Sequence, residues 1–219
     1  MESFLHTVTD AYPALVIVDS STGMEALCSN ADHTQDHDHA HDHTHGAEEA
    51  INAHFWLSPT CHIQQIENLC KGLTDAFPQY RKQIEQNAAD YTEKVNALQT
   101  ALHTATVAFQ DTKVVILHDA FAYLAMDCGL HVAAAVQVER DTALSAAEIA
   151  EVIDIVRESG ASIILAEPEY SPELAAALAR ETNAKAFTLD TCVNGPNNAD
   201  AYLNAMYHNI SILTDALAG

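Results

Sequence analysis

The spacing of apolar residues changes along this chain, and each change predicts a different kind of structure. After a short amphipathic helical turn, the β-rich run Leu15–Val18 predicts a buried strand. From Ser20 to about Ala50 the chain is polar and low in complexity, which predicts a surface loop. Ser58-Pro59 then predicts a helix start, because serine is a favoured N-cap and proline is favoured at the first helical position.

Apolar residues recur at intervals of three and four between Pro78 and about Phe109, which predicts a second, long helix. One continuous helix over that range would extend roughly 45 Å at about 1.5 Å per residue, more than the width of a typical small domain. We therefore predict that this helix links two lobes.

From Lys113 to the C-terminus, short and fully apolar runs alternate with helical patterns. The predicted strands are Val114–Leu117, Val132–Val136, Ile163–Leu165 and Ala186–Leu189. Ser145 and Ser171 each mark a helix start, and an amphipathic helix closes the chain. This alternation predicts an α/β fold with a parallel or mostly parallel sheet that is covered on both faces.

The charge and composition of the chain exclude several classes of partner. Its 31 acidic and 9 basic residues give a formal net charge of -22 at pH 7, which repels nucleic acid and anionic lipid surfaces. The sequence has no run of about 20 apolar residues that would cross a bilayer, and its first residues lack the features of a signal peptide. The five cysteines form no CxxC pair and are odd in number, so they predict neither a zinc ribbon nor a complete disulfide framework.

Candidate metal ligands are concentrated in the polar segment that precedes the first long helix. Six histidines are interleaved there with aspartates: His33, His37, His39, His41, His43 and His45. Imidazole and carboxylate together suit borderline divalent ions such as zinc, whereas magnesium and calcium sites are built from oxygen ligands. We predict that this tract is an auxiliary zinc site of low affinity.

Three further residues form a second candidate site. His118 directly follows one predicted strand and Asp190 follows another, and ligands gather at the carboxyl ends of strands in open α/β sheets. His54 lies next to Phe55-Trp56 in the other predicted lobe, so the three side chains can meet in a cleft between lobes. Two imidazoles and one carboxylate suit zinc or manganese. A histidine after a strand is also found as a hydrogen-bonded structural residue, and spacing alone leaves both interpretations open.

Glu167 follows a third predicted strand and has two interpretations. It accepts a hydrogen bond from a ligand histidine and fixes its orientation, or it caps a helix as a structural carboxylate. The sequence contains no His-Glu-x-x-His, no Gly-x-Ser-x-Gly and no glycine-rich phosphate-binding loop. Glu167 is therefore the only contender for a general base.

Four motifs occur in this chain in a recognisable order. They begin at Asn52 (Asn-Ala-His-Phe-Trp-Leu-Ser-Pro), His118 (His-Asp-Ala-Phe-Ala-Tyr-Leu-Ala), Leu165 (Leu-Ala-Glu-Pro-Glu-Tyr-Ser-Pro) and Leu189 (Leu-Asp). Together they closely resemble the zinc/manganese solute-binding proteins of bacterial ABC transporters. The resemblance implies two Rossmann-like βα lobes joined by a long spine helix, with one metal ion bound in the cleft.

The resemblance also implies the metal ligands, which are His54, His118 and Asp190. Zinc-binding members of that family carry a histidine- and acid-rich loop just ahead of the motif that here contains His54. Manganese-binding members usually have glutamate at the position of His118, so the histidine favours Zn²⁺ over Mn²⁺. The identity of a fourth ligand stays open.

The chain departs from the family pattern at its N-terminus. Members normally begin with a signal sequence or lipobox and a first-lobe segment that carries the first ligand histidine, and neither is found here. We therefore expect an incomplete N-terminal lobe at residues 1–77 with the histidine-rich loop at 29–46, a linking helix at 78–110 and a C-terminal α/β lobe at 111–219.

The function implied by the resemblance is high-affinity binding of Zn²⁺ outside the cytoplasm and its delivery to the permease of an ABC-type importer. The resemblance also implies a protein that is not an enzyme, and we expect a monomer. Two alternatives remain. A zinc-dependent α/β hydrolase would use Glu167 as its base, and a metal buffer would act only through the histidine-rich loop.

Overall fold

The computed structural model of the chain describes residues 5–27, 51–136, 145–168 and 172–218. Within these ranges the C-terminal half forms a sheet of four strands, namely β1 (Lys113–Ile116), β2 (His131–Ala135), β3 (Ile163–Ala166) and β4 (Lys185–Thr188). The strand order is β2-β1-β3-β4, and every pairing is parallel. The predicted α/β class and parallel sheet are therefore confirmed.

Helices precede, separate and follow the four strands along the chain. The α-helices of the described ranges are α1 (Leu5–Ala11), α2 (Pro59–Ala76), α3 (Arg81–Thr106), α4 (Ala122–Asp127), α5 (Ala146–Ser159), α6 (Pro172–Glu181) and α7 (Ala201–Ala218). Short 3-10 turns occur at Phe55–Leu57, Pro78–Tyr80, Val107–Phe109 and Asp119–Phe121. Within the described ranges, no helix combines the length and the apolar character that a membrane span requires.

Both faces of the sheet are covered, as predicted. Val114 and Ile116 of β1 are buried in a core that they share with α3, α4 and α7. Val115 and the following Leu117 are buried in a second core, with α5 and α6. Because successive side chains of a strand point to opposite faces, one short apolar strand supplies both cores.

Local capping signals determine where the helices begin. Ser58 Oγ accepts a hydrogen bond from a backbone N–H in the first turn of α2. At α5, Ser145 and Glu148 form a capping box in which each side chain accepts from the backbone N–H of the other. These two predicted helix starts are confirmed, whereas the predicted cap Ser171 lies outside the described residues.

The predicted long helix is interrupted at both ends. The α3 helix has 26 residues and lies between two 3-10 turns, so residues 78–109 do not form one continuous α-helix. Short 3-10 turns are frequent at helix ends, and Pro78 has no backbone N–H to donate. Along its length α3 packs against α2 and α7, and it buries Val95, Leu98 and Leu102. The division of the chain at residues 77 and 110 stays a prediction.

The predicted buried strand at Leu15–Val18 is wrong. These residues belong to no strand, and Leu15, Val16 and Ile17 are 52%, 68% and 57% exposed. β-propensity stabilises a strand only where a neighbouring strand provides hydrogen bonds and packing, and this run has no such neighbour among the described residues. Val18 packs closely against α2, where a Cβ on Gly72 would collide with its side chain.

Candidate metal site

The site begins at the carboxyl ends of two neighbouring parallel strands. His118 follows β1, and Leu117 extends the pairing by donating from its backbone N–H to the Leu165 carbonyl of β3. Glu167 follows β3 and is 1% exposed. Since β1 and β3 are adjacent, the residues beyond their ends lie side by side, and Glu167 Oε1 contacts His118 Nδ1.

His54 is held by the turn that precedes α2. Its ring contacts Trp56, with 5.2 Å between the ring centroids. The Trp56 indole N–H donates to the Thr191 carbonyl over 2.9 Å, and Phe55 packs on Tyr123 with 4.8 Å between their centroids. These contacts join the turn to the loop after β4 and to α4, so that His54 has a fixed position.

His54, His118 and Asp119 come together. One candidate ligand atom of each lies within 4.8 Å of those of the other two. The Asp119 Oδ1 atom is 3.3 Å from His118 Nε2 and 3.7 Å from His54 Nδ1, and the two imidazole centroids are 4.9 Å apart. Two imidazoles and a buried carboxylate at this spacing form a donor set that suits Zn²⁺.

Asp119 is the member of this group that the sequence interpretation did not select. It sits next to His118 at a strand end, and that adjacency is the signal that could have indicated it. The 3-10 turn at Asp119–Phe121 turns the chain immediately after β1, which places the carboxylate next to the preceding imidazole.

Asp190 does not belong to the group that the described residues form. Its Oδ1 atom accepts from the Cys192 N–H over 2.7 Å, and its backbone N–H and carbonyl are both bonded to the Asn209 side chain over 2.8 Å. The next residue, Thr191, accepts from Trp56, so this loop is joined to the turn that carries His54. The role of Asp190 as a ligand stays a prediction.

Cys192, two residues after Asp190, occupies an unusual backbone conformation. Its φ angle is 60°, in the left-handed region, and its N–H points at Asp190 Oδ1. Burial and the neighbouring Asp190 charge raise the pKa of the Cys192 thiol to about 12. In the metal-free protein this thiol is therefore protonated at neutral pH.

Asn52 connects the turn that carries His54 to the segment that carries His118 and Asp119. The sequence interpretation did not identify this role of Asn52. Its side chain is buried, and Oδ1 accepts from the His54 backbone N–H over 3.0 Å and lies 2.8 Å from His54 Nδ1. Its Nδ2 atom donates to the Asp119 carbonyl over 2.8 Å. The two contacting segments are 67 positions apart in sequence, so only the folded chain reveals the connection.

The predicted auxiliary site lies outside the described residues. This applies to the whole tract at residues 29–46 and to its histidines, which are His33, His37, His39, His41, His43 and His45. The low-affinity role of the tract stays a prediction.

Comparison with known proteins gives consistent matches. The family model described as the periplasmic component A of a zinc-uptake complex matches residues 1–216. The chain is similar to the zinc-binding protein AdcA of Streptococcus pyogenes serotype M6, with 33% identity over 181 residues, which cover 80% of this chain and 35% of that protein. The chain thus spans only about a third of the length of this curated relative.

Solved structures share the fold. An FpvC mutant from Pseudomonas aeruginosa is 19% identical and matches with a TM-score of 0.82, covering 97% of this chain and 76% of that chain. The Zn(II)-bound ZnuA-like domain of Streptococcus pneumoniae AdcA is 25% identical, with a TM-score of 0.74, and the match covers 100% of this chain and 77% of that chain.

Proposed function

This chain belongs to the family of periplasmic components A of zinc-uptake complexes, and we propose that it captures Zn²⁺ and delivers it to the permease of an ABC-type importer. The observation that carries the proposal is the convergence of His54, His118 and Asp119 within 4.8 Å at the carboxyl end of β1. The similarity to AdcA adds support, because AdcA is named as a zinc-binding protein.

The ligands that we propose are His54, His118 and Asp190, with Asp119 as the competing carboxylate. The family resemblance favours Asp190, and the distances in the described residues favour Asp119. Two imidazoles favour Zn²⁺ over Mn²⁺, because softer nitrogen ligands suit zinc and oxygen ligands suit manganese. In this proposal Glu167 accepts a hydrogen bond from the Nδ1–H of His118, so that Nε2 of His118 is available to the metal.

The proposed mechanism is binding and release without chemical turnover. The hydrolase alternative requires Glu167 to activate a water molecule as a general base. Glu167 is almost completely buried and contacts His118, which supports a role in orienting that imidazole. We therefore prefer the binding protein over the enzyme.

The proposed setting is extracytoplasmic, and the proposed partner is the membrane permease. The family description names a periplasmic component, which supports this placement. A net charge of -22 makes nucleic acid an unsuitable partner. We propose that the chain acts as a monomer.

The test is a Zn²⁺ titration of the purified chain in competition with a chromophoric chelator. His54→Ala and His118→Ala should each weaken the tightest site by more than about 100-fold, the upper end of what loss of an outer hydrogen-bond partner costs. His103→Ala, an exposed histidine on α3, is the matched control and should leave affinity unchanged. If neither site variant differs from this control, the proposal is wrong.

Two further variants of the same titration decide between the remaining alternatives. Asp190→Asn and Asp119→Asn identify the carboxylate ligand by which of them loses more affinity. Deletion of residues 29–46 should remove weak sites and retain the tight one. Loss of tight binding in the deletion, together with indifference to Asp190→Asn, would favour the metal-buffer alternative.

A further inference from the structure

We propose that Asn52 is a positioning residue for zinc binding, which fixes the tautomer of His54 and ties that imidazole to the segment carrying His118 and Asp119. This inference rests on the proposed function. Asn52 is 1% exposed, and both ends of its amide are engaged within the site. The Asn52 amide therefore connects His54 to the Asp119 segment through hydrogen bonds as well as packing between them.

The orientation of the Asn52 amide follows from the partner of its nitrogen. Its Nδ2 atom faces the Asp119 carbonyl, which can only accept, so this end of the amide must be the NH₂ group. The oxygen Oδ1 then faces His54, where it also accepts from the backbone N–H. The opposite orientation would place one acceptor against another at 2.8 Å.

This orientation determines the protonation of the His54 ring. An amide oxygen cannot donate, so His54 Nδ1, 2.8 Å from Asn52 Oδ1, must carry the proton. In a neutral imidazole the other nitrogen, Nε2, then holds the lone pair that a metal requires. His118 shows the same arrangement with Glu167 at its Nδ1. Each histidine thus has its own partner at Nδ1, and that partner leaves the lone pair on Nε2.

The backbone of Asn52 is fixed by hydrogen bonds at both its N–H and its carbonyl. Its N–H donates to the Leu27 carbonyl over 2.9 Å, and its carbonyl accepts from the Tyr123 hydroxyl over 2.8 Å. The same hydroxyl accepts from the Leu27 N–H. With the backbone fixed, the amide cannot turn away from His54 without losing its bond to Asp119, so the distance between the two ligand segments is fixed as well.

The experiment compares two substitutions at Asn52 with a control elsewhere. Asn52→Ala removes both contacts, whereas Asn52→Asp keeps an oxygen acceptor opposite His54 Nδ1 and loses only the donor that faces the Asp119 carbonyl. Asn68→Ala is the matched control, because the Asn68 amide also donates to backbone carbonyls, those of Ser20 and Thr22, but away from the site. Zn²⁺ affinity is measured by chelator competition, and the His54 tautomer is measured by ¹⁵N NMR of the metal-free protein at about pH 8, where histidine is neutral.

We expect Asn52→Ala to weaken Zn²⁺ binding by about 10–100-fold, the range for loss of a partner that orients a ligand histidine. Asn52→Asp should keep His54 protonated at Nδ1, because its carboxylate still accepts there, and Asn68→Ala should stay within about twofold of the parent protein. In the parent protein the NMR spectrum should show His54 protonated at Nδ1, and Asn52→Ala should shift the population towards protonation at Nε2.

The outcomes separate this inference from the proposed function. If His54→Ala abolishes tight binding while Asn52→Ala binds like the Asn68→Ala control, zinc binding stands and the positioning role is wrong. If His54→Ala has no effect, the proposed function itself fails. If Asn52→Ala does not fold, the NMR spectrum of the parent protein decides, because an Nε2-protonated His54 overturns the inference without any variant.

Discussion

Replacing Glu167 with glutamine tests whether this carboxylate orients His118 for metal binding. Glu167 lies directly after β3, is 1% exposed and contacts His118 Nδ1 through Oε1. Glutamine has nearly the same shape and retains an oxygen that can accept from Nδ1. The substitution therefore removes the carboxylate character of the partner and leaves the packing in place.

Two independent estimates give the size of the effect on zinc affinity. Loss of an outer partner of a ligand histidine costs about 10–100-fold in metal affinity, or about 1.4–2.7 kcal/mol. A hydrogen bond to a charged group contributes about 1.5–3 kcal/mol, against about 1 kcal/mol for a neutral one. The difference between the two hydrogen bonds, about 0.5–2 kcal/mol, overlaps the first range at about 1.4–2 kcal/mol, or about a 10–30-fold loss of affinity. Because the hydrogen bond persists in weaker form, the free energy of unfolding of the metal-free protein should change by less than about 1.5 kcal/mol.

The assay is the same chelator competition, combined with urea unfolding of the metal-free protein. Glu85→Gln is the control, since Glu85 is an exposed glutamate on α3 that pairs only with Arg81 among the interactions described. A ratio of about 10–30 between the zinc affinities of the Glu85→Gln and Glu167→Gln variants supports the orienting role. Equal affinities would refute it, and a large loss of metal-free stability would show that Glu167 acts on the fold.

Two further predictions concern stability. Burial lowers the pKa of His62, whose Nε2 atom is buried without a hydrogen-bond partner among the described residues. The unfolded chain then binds a proton below about pH 6.5 that the folded chain resists, so stability is lost as the pH falls through that value. His62→Phe should therefore gain stability relative to the parent protein between about pH 7 and pH 5 in urea unfolding, and a constant difference across that range would contradict the reasoning. Leu98→Ala should lower the free energy of unfolding by about 2–5 kcal/mol, because Leu98 is 0% exposed in the core beneath α3, and a loss below about 1 kcal/mol would mean that this core collapses around the cavity.

The C-terminal sheet could be predicted because its signals are local. Each of the four apolar runs is short and bounded by helical patterns, and each appears as a strand within a residue or so of its predicted position. The helix starts at Ser58 and Ser145 are determined by side chains that cap the adjacent backbone. Interactions that span three or four residues can be recognised without knowledge of the fold.

The run Leu15–Val18 shows where local signals fail. Its composition is that of a strand, yet it pairs with no strand in the described part of the chain. Strand formation depends on a partner that is distant in sequence, and propensity contains no information about whether that partner is present. The capped helices needed no such partner, and they were predicted correctly.

The site likewise contains residues that local sequence signals indicate and residues that they do not. His54, His118 and Glu167 stand beside recognisable motifs or strand ends, and the sequence analysis selected them. Asn52 was not selected, because its contacts join segments that meet only after folding, whereas Asp119 was missed although it directly follows His118 at a strand end. A buried asparagine has no chemical signature of its own in a sequence, and its importance depends on what faces its two amide atoms.

Asparagine substitutions distinguish Asp119 from Asp190 as the third metal ligand. Each substitution removes the charged carboxylate and keeps the hydrogen bonds that hold the surrounding segment in place. Asp190 Oδ1 accepts from the Cys192 N–H, and an asparagine oxygen can accept the same bond and keep the turn. A loss of zinc affinity in Asp190→Asn therefore reports on coordination, since the loop that accepts the Trp56 hydrogen bond at Thr191 is retained. Asp119→Asn likewise retains the backbone carbonyl that receives the Asn52 amide. If Asp119→Asn loses more affinity than Asp190→Asn, the third ligand comes from the end of β1, and the metal is held by two consecutive residues of one turn together with His54.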